Sequence, residues 1–241
     1  MKGEKRRISF RLTPHSSRFL RRADNNTAEH PRESGLKKIV FASRNRGKIK
    51  EIRAMLADLG MRLLSLNDFP DIPEIVEDGE SFLENALKKA RTVAELTGEN
   101  VLADDSGLEV KALKGAPGIY SSRYAGNGAD DEKNIRKLLK DMKGVPPEER
   151  EAAFRCALVL YRPDGHYETF EGRWEGRIAE APIGREGFGY DPVFFLPELG
   201  LTVAELSPEV KNRISHRAQA FEKLKERLRE EIGKTGRSAA R

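Results

Sequence analysis

A single cysteine, Cys156, stands among the 241 residues, which excludes an intrachain disulfide framework and any metal site built on several thiolates. Such cysteine usage suits a reducing compartment, and a cytoplasmic location is expected. No apolar run is long enough to span a bilayer, so no membrane partner is expected. The N-terminus lacks the continuous apolar core of a secretory signal. The body of the chain also lacks an excess of charge of either sign. The net charge of +5 arises in residues 1–35, where nine Lys/Arg face four Asp/Glu, leaving 35 of each sign in the rest. Three further basic residues lie in 233–241. The basic pI of about 9.2 therefore says little about the partner of the body.

With 38% apolar and 34% charged residues, the chain has the composition of a soluble globular protein. Residues 1–35, poor in apolar side chains and rich in scattered Arg, Ser, Asn and Pro, read as a disordered basic arm. Residues 36–232 read as the folded body, and 233–241 as a flexible basic tail. Electrostatic binding of nucleic acid through the basic ends is an alternative role for such termini. Deleting 1–35 tests it, because that binding would then be lost.

The body is organised around Val101–Val110, V-L-A-D-D-S-G-L-E-V. An apolar run ends in Asp104 and Asp105, and Ser106-Gly107 supplies turn chemistry before a second short run. If the first run is a strand, the two carboxylates point to opposite faces. One then faces a cleft and suits a hard cation or the activation of a water. The other needs hydrogen bonds from the backbone or the edge of the core.

Lys38–Ser43 reads as a strand, followed by a helix with Ile49, Ile52, Leu56 and Leu59 on one face and Gly60 as its stop. The joint between them, Ser43-Arg44-Asn45-Arg46-Gly47-Lys48, offers helix N-terminal N–H groups, two neutral donors (Ser43 and Asn45) and a charge (Lys48) to an anion. Its glycine spacing is not that of a Walker A loop. Leu63–Ile75 reads as a strand and a loop, and Glu74, Glu77 and Asp78 precede Gly79. Ser81 to Glu84 forms a capping box for a helix to about Leu96, with Asn85 and Lys89 on one face. A small-residue connection, Leu113–Gly128, leads to a helix capped by Asp130 or Asp131. Ala152–Tyr161 and Tyr167–Ile178 read as a hairpin turning at Asp164-Gly165, with Cys156 in the core and His166 exposed. In Gly184–Pro192, Phe188 can stack on a base and Asp191 can accept from base N–H groups. Ser207-Pro208 starts one helix, carrying Lys211, and Ser215-His216-Arg217 starts the last, with Phe221, Leu224, Leu228 and Ile232 as its apolar stripe. Positive charge at His216 and Arg217 opposes the helix dipole and calls for an anion or acceptor nearby.

Six of these motifs, in this order, resemble the inosine/xanthosine triphosphate pyrophosphatases, and their bacterial dITP/XTP form most closely. They are S-R-N-R-G-K (Ser43–Lys48), S-F-L-E-N-A-L-K-K-A (Ser81–Ala90), A-D-D-S-G-L (Ala103–Leu108), G-A-P-G-I-Y-S-S-R-Y-A-G (Gly115–Gly126), G-F-G-Y-D-P (Gly187–Pro192) and S-H-R (Ser215–Arg217). The resemblance spans roughly residues 37–232. It implies an α/β fold, an elongated mixed β-sheet flanked by helices, with two lobes around a central substrate cleft. It also implies a homodimer that uses Mg²⁺ to hydrolyse purine nucleoside triphosphates such as ITP, dITP and XTP to the monophosphate and pyrophosphate. Nucleic acid is then not an expected partner, and a nucleotide pyrophosphatase of other base preference is the alternative within the enzyme class. Carried onto this chain, the resemblance places Ser43, Asn45, Lys48 and Lys89 on the phosphates, with Arg44, Arg46 and Gly47 as further substrate-binding residues. Asp105 becomes the general base or Mg²⁺ ligand, Ser106 a substrate contact, and Glu77, or alternatively Glu74, the second metal carboxylate. Phe188 would stack on the base, Asp191, Lys211, His216 and Arg217 would line the base and sugar end, and Gly189 and Tyr190 are further substrate-binding residues. Arg217 can donate to a 6-keto oxygen and would meet the 6-amino group of adenine donor to donor. The chain departs from the family in its basic arm and in Ser43-Arg44, where Thr-Gly is frequent. Serine keeps the hydroxyl, and loss of the glycine tightens the turn.

Overall fold

The computed structural model describes residues 38–238. The expected arm, 1–35, lies outside them, as do residues 239–241. Among the described residues seven strands form one mixed sheet in the order β2-β1-β3-β4-β5-β6-β7. β1 (Lys38–Phe41) runs parallel to both β2 (Arg62–Ser65) and β3 (Val101–Val110). Parallel neighbours need long crossovers, and here these carry α1 (Arg46–Met55) and α2 (Phe82–Thr97). The remaining pairings are antiparallel, through β4 (Glu151–Tyr161), β5 (Tyr167–Ile178), β6 (Phe194–Leu196) and β7 (Leu201–Thr202). α3 (Asp131–Asp141) precedes β4, and α4 (Pro208–Ile214) and α5 (His216–Ser238) close the chain, α5 extending past the expected boundary at Ile232. The fold is therefore the mixed α/β sheet with helices that was expected.

Local sequence sets most element ends. The Asn45 side chain accepts from the Lys48 N–H and caps α1, which ends at Met55; a 3-10 turn then closes on Gly60. Ser81 caps α2 by accepting from the Glu84 N–H. The other half of the expected box differs, since Glu84 accepts from the Glu80 N–H one residue upstream. Asp130, not Asp131, caps α3. The connection after β3 is ordered by short 3-10 turns and by Ser121, whose hydroxyl accepts from the Leu108 N–H and donates to the Gly118 carbonyl.

The turn expected at Asp104–Gly107 does not form. All ten residues of β3 pair with β4, from Val101 opposite Tyr161 to Val110 opposite Ala152. The ten-residue pairing with β4 bonds one edge of the stretch, and the groups facing the other edge find partners such as the Ser121 hydroxyl and the Ala116 carbonyl, which together outweigh a local Asx-turn preference. Gly107 serves close packing instead: a Cβ there would sit 2.5 Å from both the Gly118 carbonyl oxygen and the Ser121 hydroxyl.

This straight strand places the charges. On one face Leu102 packs in a cluster with Ile39, Ile52, Leu158 and Phe221, while Leu108 and Val110 pack in another with Phe154, Trp174 and Phe194. Asp104 and Ser106 fall between the two clusters on that face. On the opposite face Val101 and Ala103 pack against Ala86, Ala90 and Val93 of α2, and Asp105 comes next.

Candidate active site

Asp104 is buried, and its partners come from both ends of the chain. Lys48 lies 3.0 Å from Oδ2, the Arg217 Nε 3.4 Å from the same oxygen, and the Ser106 hydroxyl donates to it at 3.1 Å. Burial alone would favour the neutral acid, but Lys48, Arg217 and Lys89 hold the carboxyl far below the usual carboxylate range. The aspartate away from the water-activating face was expected to be fixed by backbone or core-edge groups. Two cations and a hydroxyl fix it instead.

Asp105 faces α2. Its Oδ2 accepts from the Asn85 Nδ2 at 3.0 Å, its Oδ1 from the Ser106 N–H at 3.0 Å, and the Lys89 ammonium lies 3.8 Å away. Burial pushes its carboxyl up, against the pull of Lys89 and Lys48. Adjacent aspartates thus have opposite protonation tendencies because strand alternation gives them different surroundings. Lys89 also binds Glu77 at 2.5 Å, and burial of its ammonium is outweighed by Asp105, Glu77 and Asp104, which raise its pKa. Glu77 and Asp105 therefore converge on one cation. Glu74 is exposed and is not part of this grouping. Among the described residues no group of three or more His, Cys, Asp or Glu could hold a metal ion.

The third part lies where α1, α4 and α5 meet. Lys211 binds Glu51 at 2.8 Å and Asp191 at 2.6 Å, and Arg217 pairs with the other oxygen of Glu51 and donates to Ser106 at 3.0 Å. Burial works against ionised Glu51, yet Arg217 and Lys211 lower its pKa. The Phe188 ring lies 4.4 Å from the Lys211 ammonium and 5.7 Å from the Arg217 guanidinium, so two cations flank its face. Gly47 admits that ring to the start of α1, since a Cβ there would lie 2.8 Å from it. Asp191 accepts from both Lys211 and the Phe188 N–H (2.9 Å), and burial pushes its pKa up despite Lys211.

The anion expected at the start of α5 is present for Arg217, as Glu51 and Asp104. His216 differs: burial, with Arg217 and Lys211 nearby, keeps its imidazole neutral, so it adds no charge to the helix start. It stacks on Phe154 with ring centres 4.8 Å apart, and its buried Nδ1 has no hydrogen-bond partner among the described residues.

Two expected contacts turn elsewhere. Arg44 donates 2.6 Å bonds to the carbonyls of Leu66 and Ile72, so it holds the loop after β2 rather than facing an anion. Tyr190 is buried and donates to the Ser121 carbonyl at 2.8 Å, which fastens its loop to the loop after β3. Arg46 is exposed in the first turn of α1. Ser43 accepts from the Asn45 N–H at 3.1 Å, which orders the joint, and the Gly189 N–H is held by Asp131. Sequence reading missed Glu51. Its signal was its place three residues after Lys48, on the same helix face, opposite a basic pair that lacked an anion.

The model of the Ham1 family matches residues 39–227. The dITP/XTP pyrophosphatase of Geobacter sulfurreducens is 54% identical over 191 residues, 79% of this chain and 96% of that protein. The dITP/XTP pyrophosphatase of Geobacillus kaustophilus is 50% identical over 84% of this chain and all (100%) of its own length. Among solved structures, a HAM1 protein from Coxiella burnetii superposes with a TM-score of 0.74 at 44% identity, covering 80% of this chain and 98% of that one.

Proposed function

The chain belongs to the Ham1 family, and from that premise we propose that it is a nucleoside triphosphate pyrophosphohydrolase of dITP, XTP and ITP. Water cleaves the α–β phosphoanhydride, giving the monophosphate and pyrophosphate and keeping these nucleotides out of DNA and RNA. The observation that carries the site assignment is Asp105, whose carboxyl is raised by burial on the central strand and lies beside Lys89 and Glu77. A carboxylate with a raised pKa is a better acceptor for the proton of an attacking water. Lys48 and Lys89 offer positive charge to the triphosphate, and Ser43, Asn45 and the N–H groups at the start of α1 offer neutral donors. Phe188 stacks on the base. Asp191, Lys211, His216 and Arg217 line the base and sugar end, with Glu51 orienting both cations. A 6-keto oxygen suits donors from Arg217, whereas the amino group of adenine leaves them unpaired.

Mg²⁺ is part of this proposal. Its donors are oxygens, and one or two carboxylates together with substrate phosphates are a usual set for it. Glu77 and Asp105 fit that set, because both already share the cation Lys89. When bound, the metal supplies charge neutralisation for the phosphates and lowers the pKa of water. A homodimer and a cytoplasmic location belong to the same reading. The location is supported by Cys156 being unpaired and buried.

Pyrophosphate release with Mg²⁺ from dITP, XTP, ITP, ATP and GTP at equal concentration tests the reading. Preference for the first three is expected. Equal turnover of all five would remove the base-reading roles, and turnover of none would remove the activity.

A further inference from the structure

The ring of Phe188 sits on a segment with little stiffness of its own, because Gly187 and Gly189 flank it with φ of +80° and +62°. Two carboxylates hold that segment. The Phe188 N–H donates to Asp191 Oδ2 at 2.9 Å, and the Gly189 N–H donates to Asp131 Oδ2 at 2.6 Å. These are the peptide groups on either side of the Phe188 Cα, so one carboxylate restrains its φ and the other its ψ. Asp191 belongs to the charged cluster through Lys211. Asp131 does not. It is the first residue of α3, and Asp130, not Asp131, caps that helix. Its carboxylate suits the first turn of α3, where negative charge meets the helix dipole, and it also accepts the Gly189 N–H, a contact outside its own helix. α3 is in turn anchored on the same loops: Asn134 accepts from the Ala125 N–H and donates to the Ser122 carbonyl, and Tyr190 reaches Ser121.

We propose that Asp131 is a positioning residue for the base platform: from the first turn of α3, its carboxylate fixes the peptide after Phe188 and so sets the pose of the ring that receives the purine. This rests on the stacking role given to Phe188 above. Asp131 touches no reacting atom, so its loss changes how well substrate is held and leaves the chemical step alone. An amide-to-carboxylate bond is charge-assisted, and its loss is expected to weaken substrate binding by about tenfold. Asparagine keeps an oxygen at the same position and can still accept the Gly189 N–H.

The test compares the full-length wild type with Asp131→Ala and Asp131→Asn, using dITP kinetics and amide hydrogen exchange at Gly189 without nucleotide. In Asp131→Ala, KM for dITP should rise about tenfold with kcat within about twofold, and the Gly189 amide should exchange about tenfold faster. Asp131→Asn should recover most of both. A fall in kcat at unchanged KM, unchanged kinetics in the alanine variant, or an asparagine variant no better than alanine would each overturn the proposal. Wild type inactive on dITP would instead defeat the pyrophosphatase reading. Gly189 exchange then judges the restraint separately: unchanged exchange in Asp131→Ala rejects it, and faster exchange supports it.

Discussion

At the scale of single residues, the adjacent aspartates of β3 separate stability from activity. Asp104 has its pKa lowered because Lys48 and Arg217 more than offset its burial. Its contribution to stability is present above the unfolded carboxyl value of about 3.9 and is lost as pH falls toward the folded value. Asp104→Asn leaves Lys48 and Arg217 without their shared anion and should cost about 3–5 kcal/mol at pH 7. The gap from wild type should narrow below about pH 4, and urea unfolding across pH checks both statements. Asp105 has the opposite sign. Its folded pKa is raised by burial, so its ionised form opposes folding as pH rises through the folded value. Asp105→Asn keeps one oxygen, for either Asn85 or the Ser106 N–H, and loses the other acceptor, which offsets the relief of burying a charge, so its stability at pH 7 should stay within about 1–3 kcal/mol of wild type while kcat falls by about 10²–10⁴. Normal turnover by a folded Asp105→Asn protein would remove Asp105 from the role of base.

At the scale of elements, the strand–helix alternation was readable from periodicity, and β5 was read to its exact ends at Tyr167 and Ile178. The caps at Ser81 and Ser207 were legible because they depend on neighbours within a few residues, whereas α1, expected to run to Gly60, ends at Met55 and Gly60 closes the 3-10 turn after it. β3 was not legible as one strand. Asp-Ser-Gly favours a turn locally, and only the pairing with β4, some fifty residues on, keeps it extended. The need for Gly107 is likewise non-local, coming from Gly118 and Ser121. Gly107→Ala would drive a methyl group into a backbone carbonyl, an overpacking cost of about 1–3 kcal/mol. The melting temperature should fall by about 2–4 °C for each kcal/mol. Because Gly107 lies two residues from Asp105 on the same strand face, turnover should fall with it. A thermal melt and a dITP assay on one preparation measure the two effects together, and an unchanged melting temperature would mean that the Gly118 loop yields without cost.

At the scale of the molecule, the candidate site joins segments as far apart as Lys48 and Arg217, and its charge balance is visible only once they meet. The partners of Glu51 and Arg44 are not visible in the local sequence for that reason: one finds them on α4 and α5, the other on the loop after β2. Lys48, Lys89, Lys211 and Arg217 face Asp104, Asp105, Glu51, Glu77 and Asp191, four cations against five carboxylates. His216 is neutral and adds nothing to the positive side. A nucleoside triphosphate brings about four more negative charges at neutral pH. The cations that would receive its phosphates are already paired, so the cluster alone cannot neutralise it. A divalent ion between the phosphates, Glu77 and Asp105 would correct the balance. Binding of a non-hydrolysable dITP analogue to the wild-type protein, followed by calorimetry, should therefore weaken at least about tenfold when Mg²⁺ is replaced by EDTA, since tenfold is only about 1.4 kcal/mol against the repulsion involved. Monovalent salt should recover little of that loss, because buried charges are screened far less than exposed ones. Equal affinity with and without the metal would mean that the lysines leave their carboxylates to meet the phosphates unaided, and Glu77 would lose its place as a metal ligand.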